Sequence, residues 1–205
     1  MSDVRRALAE IEAIRGQVAR ATQFRGYGPV TLALTGVLAI IAALAQAALV
    51  SDPGMEPDSY LTLWVGTAIL SLALISLETV ARARRAHSTL SPSMLRTASE
   101  EFLPALIAGS LLTAVIARDS PGTLWMLPGL WQIIFSLGVF ASCRLLPRPM
   151  LAVGLWYLSS GLILLAHGDD GYALSPWAMG VPFGVGQILV AAVLWVGYRE
   201  GHDSP

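Results

Sequence analysis

Three glutamines, Gln46, Gln132 and Gln187, are the polar side chains least expected where they stand, each within a long apolar stretch of the chain. A carboxamide carries two N–H donors and a carbonyl acceptor, and in hydrocarbon these need partners. Two roles are open to such a group. It can join helices through interhelical hydrogen bonds, or the matched pair Gln132 and Gln187 can line a polar site. Gly180, Pro182 and Gly184 form a second cluster. Gly180 and Gly184 have the small-xxx-small spacing that lets helix backbones approach closely. The alternative there is a local break that exposes carbonyls to a cavity, with Trp131 and Trp156 as its walls.

Charged groups usually carry ion coupling and proton relays inside a membrane, where each costs about 2.5–3.5 kcal/mol at a helix centre on insertion scales. None stands at the centre of an apolar stretch. Glu78 comes nearest and precedes Arg82 by four residues, the favourable order for a local helix pair. His167 with Asp169 and Asp170 is the one metal-like grouping, and a solvated turn accounts for it better. His87 and His202 fall in a loop and a tail, so no axial haem pair is on offer. The chain holds no Ser/His/Asp set, Walker loop, nucleotide fingerprint or zinc motif. Cys143 is alone, which excludes an internal disulfide and a thiolate metal site. No cofactor, metal or nucleic-acid partner is expected, and the chain reads as non-enzymatic.

The elements that position these residues are membrane spans. With 55% hydrophobic and 13% charged residues, the 205-residue chain departs from a soluble composition. Crossing roughly 30 Å of hydrocarbon takes about 20 apolar residues. Six stretches qualify, at about 30–50, 60–80, 102–117, 123–142, 150–166 and 177–198, and together they make one transmembrane domain, 30–198. Segment 1–25 precedes it and a short tail, 199–205, follows. The fold class expected is all-α, a polytopic six-helix membrane protein.

All thirteen basic residues are Arg. Twelve lie on one side of the expected membrane: Arg5, Arg6, Arg15, Arg20 and Arg25 before the first span, Arg82, Arg84, Arg85 and Arg96 after the second, Arg144 and Arg148 after the fourth, and Arg199 after the sixth. Arg118 alone joins Asp52, Glu56, Asp58, Asp119, Asp169 and Asp170 on the other. The positive-inside rule then puts both termini in the cytoplasm.

Within 1–25, Val4, Ala7, Ile11, Ile14, Val18 and Ala21 recur at steps of three and four, which predicts an amphipathic, coiled-coil-like cytoplasmic helix. A helix this short is marginal alone. Its seam, with Val4, Ile11, Ile14 and Val18 as the association face, is expected to meet a second copy, the membrane surface, the protein's own inner loops or a partner protein, and the acidic Asp3, Glu10 and Glu12 favour protein over lipid. Ser91-Pro92 and the Thr97/Glu100 capping-box spacing predict a short separate helix along the membrane face before the third span, with Pro104 kinking or delaying that span.

A repeat runs through the spans. Gly129–Arg144 aligns without gaps on Gly184–Arg199, matching Gly129 with Gly184, Gln132 with Gln187 and Ile133 with Ile188. The odd spans rhyme in Pro104-x4-Gly109 and Pro149-x4-Gly154, with a looser Pro29…Gly36. These matches predict three helical hairpins about a pseudo-threefold axis along the membrane normal.

The stretch Ile14-Arg15…Phe24-Arg25-Gly26-Tyr27-Gly28-Pro29 resembles a family of bacterial six-span inner-membrane proteins to which no activity is attached. The resemblance covers the first quarter of the chain and implies a location in the bacterial inner membrane. It implies no chemistry. The functional expectation is a membrane protein that acts by association, as a scaffold, accessory or regulatory subunit, with the lipid bilayer and a homo-oligomeric or protein partner as its contacts. A small transporter or channel for an uncharged or weakly polar solute is the alternative, and an intramembrane enzyme comes last.

Overall fold

A computed structural model of the chain describes residues 28–85, 91–143, 149–168 and 171–200. The heptad segment, including Val4, Ile11, Ile14 and Val18, lies outside the described residues, as do Asp169 and Asp170.

Among the described residues the secondary structure is entirely helical. The helices are α1 (Pro29–Leu49), α2 (Pro57–Arg85), α3 (Ser91–Asp119), α4 (Leu127–Ser142), α5 (Met150–His167) and α6 (Pro176–Glu200), with a 3₁₀ turn, Pro121–Met126, leading into α4. Five of the six contain or form a stretch long and apolar enough to cross a membrane, and α4 does so together with the turn before it, over Pro121–Ser142. The chain is a polytopic helical membrane protein. Proline starts α1, α2 and α6 and the turn before α4. Its missing N–H is harmless there, because the first helical donors have no partner within the helix.

The separate helix expected near residue 91 is instead the first part of α3, which runs unbroken from Ser91 through Pro104. A helix-interior proline removes one backbone hydrogen bond. Here the helix continues past the loss.

The ends of the bundle are named by the chain: the proximal end holds Gly28, and the distal end holds the turn at residues 51–56. The closest partnerships join helices from different expected hairpins. α1 packs most extensively on α6 and α4 on α5, while α2 lies on α1 and α3 on α4. Two groups result, α1/α2/α6 and α3/α4/α5. Contacts between them are sparser, made chiefly by α5 with α6.

One core at the proximal end spans both groups, with Leu32, Val139, Val153, Tyr157, Val190 and Leu194 among its members. Distally, Ala42, Ala43, Tyr60, Trp64 and Met179 form a second core, reached by Trp131 of α4. Leu61 of α2 also packs on a third, around Ile116, Leu124 and Leu127. α2 and α3 are the peripheral helices, buried over 11% and 6% of their spanning stretches against 33–50% for the other four.

Candidate functional site

The two tight helix pairs are built on the same contact. On α1, a Cβ at Gly36 would stand 2.9 Å from the Gly184 carbonyl oxygen, 3.1 Å from Gln187 Cβ and 3.5 Å from Ile188 of α6. On α5, a Cβ at Gly161 would stand 2.6 Å from the Gly129 carbonyl oxygen, 3.1 Å from Gln132 Cβ and 2.9 Å from Ile133 of α4. Gly129, Gln132 and Ile133 are the residues that align on Gly184, Gln187 and Ile188. The reciprocal contacts match too, since Gly184 faces Ile40 and Gly129 faces Leu165, each four residues beyond its partner glycine. Within the odd spans the structure therefore pairs Gly36 with Gly161, where the proline-to-glycine rhyme matched it with Gly154. Gly154 instead accommodates the Phe140 ring, and Gly180 meets Ala43.

Counted from the proline that opens each even-span segment, glycine comes eighth and glutamine eleventh after Pro121 and after Pro176. After Pro57 the same places hold Val65 and Ala68. With no glycine there to bring backbones together, α2 makes no equivalent close crossing with α3.

The three glutamines are all buried, and they serve different ends. Gln46 bridges three segments at the distal end. Its Nε2 donates to the Leu174 carbonyl at 2.7 Å, and its Oε1 accepts the Trp64 indole N–H at 2.7 Å. Gln132 Nε2 donates to the Ala178 carbonyl at 2.9 Å. That carbonyl lies four residues before Pro182, whose ring nitrogen has no hydrogen to return. The proline frees an acceptor in α6, and the amide of α4 takes it.

Gln187 does not join Gln132. It lies nine residues beyond Ala178 on α6, about 13 Å further along the helix at 1.5 Å per residue. Between those levels the Phe135, Tyr157 and Phe183 rings pack with centroids 4.6–5.5 Å apart. The supposed walls are also spoken for: Trp156 Nε1 donates to the Pro182 carbonyl at 3.0 Å, and Trp131 Nε1 to Thr113 Oγ1 at 2.8 Å.

No protein-family model, curated protein or solved structure matches the chain. Its chemistry is read from its own residues.

Among the described residues, Tyr60 Oη and Gln132 Oε1 are buried without a hydrogen-bond partner, while the buried Tyr157 phenol has the Gln187 side chain as its polar partner. Tyr60 and Tyr157 are the fully buried polar side chains that sequence reasoning passed over. The available signal was a phenol inside an apolar run at Tyr157, and one four residues before Trp64 at Tyr60. Among the described residues no three His, Cys, Asp or Glu gather as a metal-binding group. His167 turns its Nδ1 to the Ile163 carbonyl of its own helix at 2.8 Å and its ring toward Tyr172.

At the proximal end Glu78 presses against Gly28, linking the end of α2 to the start of α1. The Arg82 side chain lies outside the described ones, so the expected pair with Glu78 does too. Cys143, half-buried at the end of α4, has its thiol pKa pushed up by burial.

Proposed function

We propose that the chain is a non-enzymatic, multi-pass protein of a bacterial inner membrane, with both ends cytoplasmic, that acts by association as a scaffold, accessory or regulatory subunit. The observation that carries this reading is the peripheral position of α2 and α3, whose spanning stretches are barely buried by the rest of the bundle. Large apolar side chains such as Ile69, Leu77, Ile107 and Leu111 stand exposed along them. The glycine faces are used up inside the bundle by the two crossings, which leaves α2, α3 and the N-terminal seam for partners. The one-sided arginine distribution supports the orientation. The three-hairpin, pseudo-threefold plan is part of this reading, with α2 and α3 as the seam that the missing glycine and glutamine leave loose.

Deletion of residues 1–25 tests it. The full chain in mild detergent should migrate as a defined oligomer or a stoichiometric complex, and the deletion should reduce it to a monomer. An unchanged size on deletion would contradict a role for the segment.

A second reading, a small transporter or channel for an uncharged or weakly polar solute, is favoured by the polar atoms buried without a partner among the described residues, Tyr60 Oη and Gln132 Oε1. Flux of neutral solutes into proteoliposomes separates the two.

A further inference from the structure

The two glycine crossings each set an even helix on an odd one, α4 on α5 and α6 on α1. The same plan would set α2 on α3, the contact that stays loose. Gly66 of α2 stands one residue past the place where α4 and α6 carry their crossing glycine, a rotation of about 100° round the helix. It faces outward, with nothing within 4 Å of its Cβ position. Gly66 belongs to a seam. On α2, Thr62, Gly66, Ile69, Ala73 and Ser76 are all exposed and recur at steps of four and three. On α3, Leu103, Ile107, Ser110, Ala114 and Ala117 do the same. That spacing is the one by which two helices meet along a coiled-coil seam, and small side chains let membrane helices approach closely. Leu61 of α2 packs on the cluster that holds Ile116 of α3, which puts the distal turns of the two helices at one depth. From there α2 runs toward the proximal end, while α3 has come from it.

We infer that a second copy of this chain covers these faces, each α2 lying antiparallel on its partner's α3; this rests on the association reading and gives it a partner. Copies of a membrane protein cross the bilayer in one orientation, so a twofold pair has its axis along the membrane normal and every residue keeps its depth. Thr62 then meets the partner's Ala117, Gly66 the partner's Ala114, Ile69 the partner's Ser110, Ala73 the partner's Ile107 and Ser76 the partner's Leu103. Each large side chain meets a small one. Charge agrees with size. Arg118 is the one base the sequence places on the distal side. Its side chain is 88% exposed, and among the described residues its ion pair is a 3.8 Å contact with the adjacent Asp119. In the pair it comes level with the exposed Asp58, in the first turn of α2, and with Glu56 just before that helix. Other pairings fare worse. α2 on a partner's α2 opposes Asp58 to Asp58 and Ile69 to Ile69, and α3 on α3 opposes Arg118 to Arg118 and Ile107 to Ile107. The twofold makes the favourable contact twice, and so supplies between chains the even-on-odd packing that α2 and α3 lack within one.

Disulfide trapping in native membranes tests this, on full chains that carry Cys143→Ser and one of two tags. Ala73→Cys on one copy and Ile107→Cys on the other should oxidise to a dimer that bears both tags. Ala73→Cys with Ala117→Cys is about 15 Å off level at 1.5 Å per residue. It should give none, because a disulfide needs Cα atoms within about 7 Å. Arg118→Asp should lower the yield of the level pair several-fold, and Asp58→Arg added to it should raise the yield again, a rescue that a misfolded chain would not show. Equal trapping of the level and off-level pairs would overturn the inference, as would Ala73→Cys trapping its own copy in place of Ile107→Cys. A photo-reactive residue at Ile69 separates this from the wider association reading. Capture of a protein of another mass, with no mixed disulfide, overturns the second copy and leaves association standing. Lipid adducts alone, again with no mixed disulfide, overturn both.

Discussion

Gln46 is the side chain whose role is clearest. One carboxamide holds the Trp64 indole of α2 and the Leu174 carbonyl of the turn before α6. Interhelical hydrogen bonds in membranes average about 0.6 kcal/mol, but removing this one also strands a buried indole N–H and a carbonyl. Gln46→Leu should therefore cost about 1–3 kcal/mol, measured by unfolding in mixed detergent–SDS micelles. Trp64→Phe should cost less, and the double variant should fall short of the sum. Cys143 yields a second expectation. Burial raises its pKa, so less thiolate is present at neutral pH and alkylation should be slower than for a free cysteine thiol, accelerating as pH rises through the raised value. At this scale the sequence was legible in part. An amide in an apolar run announces that it needs a partner. It does not say that Gln132 will find a carbonyl freed by a proline 50 residues away, because that pairing exists only once α4 and α6 are side by side.

Among elements, the decisive contacts are the two glycine crossings, α1 on α6 and α5 on α4. Their likeness gives a sharp expectation: Gly36→Leu and Gly161→Leu should destabilise by similar amounts, at least about 1–3 kcal/mol each, the usual cost of overpacking. Gly66 is the control. A Cβ there meets nothing within 4 Å, so Gly66→Ala should be neutral or stabilise by about 0.5–1 kcal/mol, the helix-interior difference between the two residues. Thermal unfolding of the three variants in one detergent checks the set. Pro182→Ala returns a backbone N–H to α6, which competes with Gln132 Nε2 for the Ala178 carbonyl. In that background Gln132→Leu should cost less than in the native chain. The match of Gly129–Arg144 with Gly184–Arg199 was visible in the sequence because both stretches meet the same partner geometry. The partners were not, since Gly36 and Gly161 lie in helices whose flanking prolines suggest a different register. The continuity of α3 escaped for a local reason, as capping signals and Pro104 both read as breaks when the surroundings that sustain the helix are unknown.

At the scale of the molecule, six apolar stretches dictated six helices, because a backbone in lipid must satisfy its own hydrogen bonds. Which helices touch was beyond the sequence. Lipid tails are as apolar as leucine, so hydropathy cannot distinguish a helix facing lipid from one facing protein. The structure separates four close-packed helices from two peripheral ones, and the proposed role in association rests on that difference. Photo-crosslinking from single sites in native membranes tests it most directly, with the reactive residue placed at the exposed positions Ile69 of α2 and Ile107 of α3, and at Leu34 and Ile41 of α1 for comparison. Association through α2 and α3 requires discrete adducts of one defined protein mass from Ile69 and Ile107, a second copy or a stoichiometric partner, and none from α1. Lipid adducts alone from all four positions would contradict it.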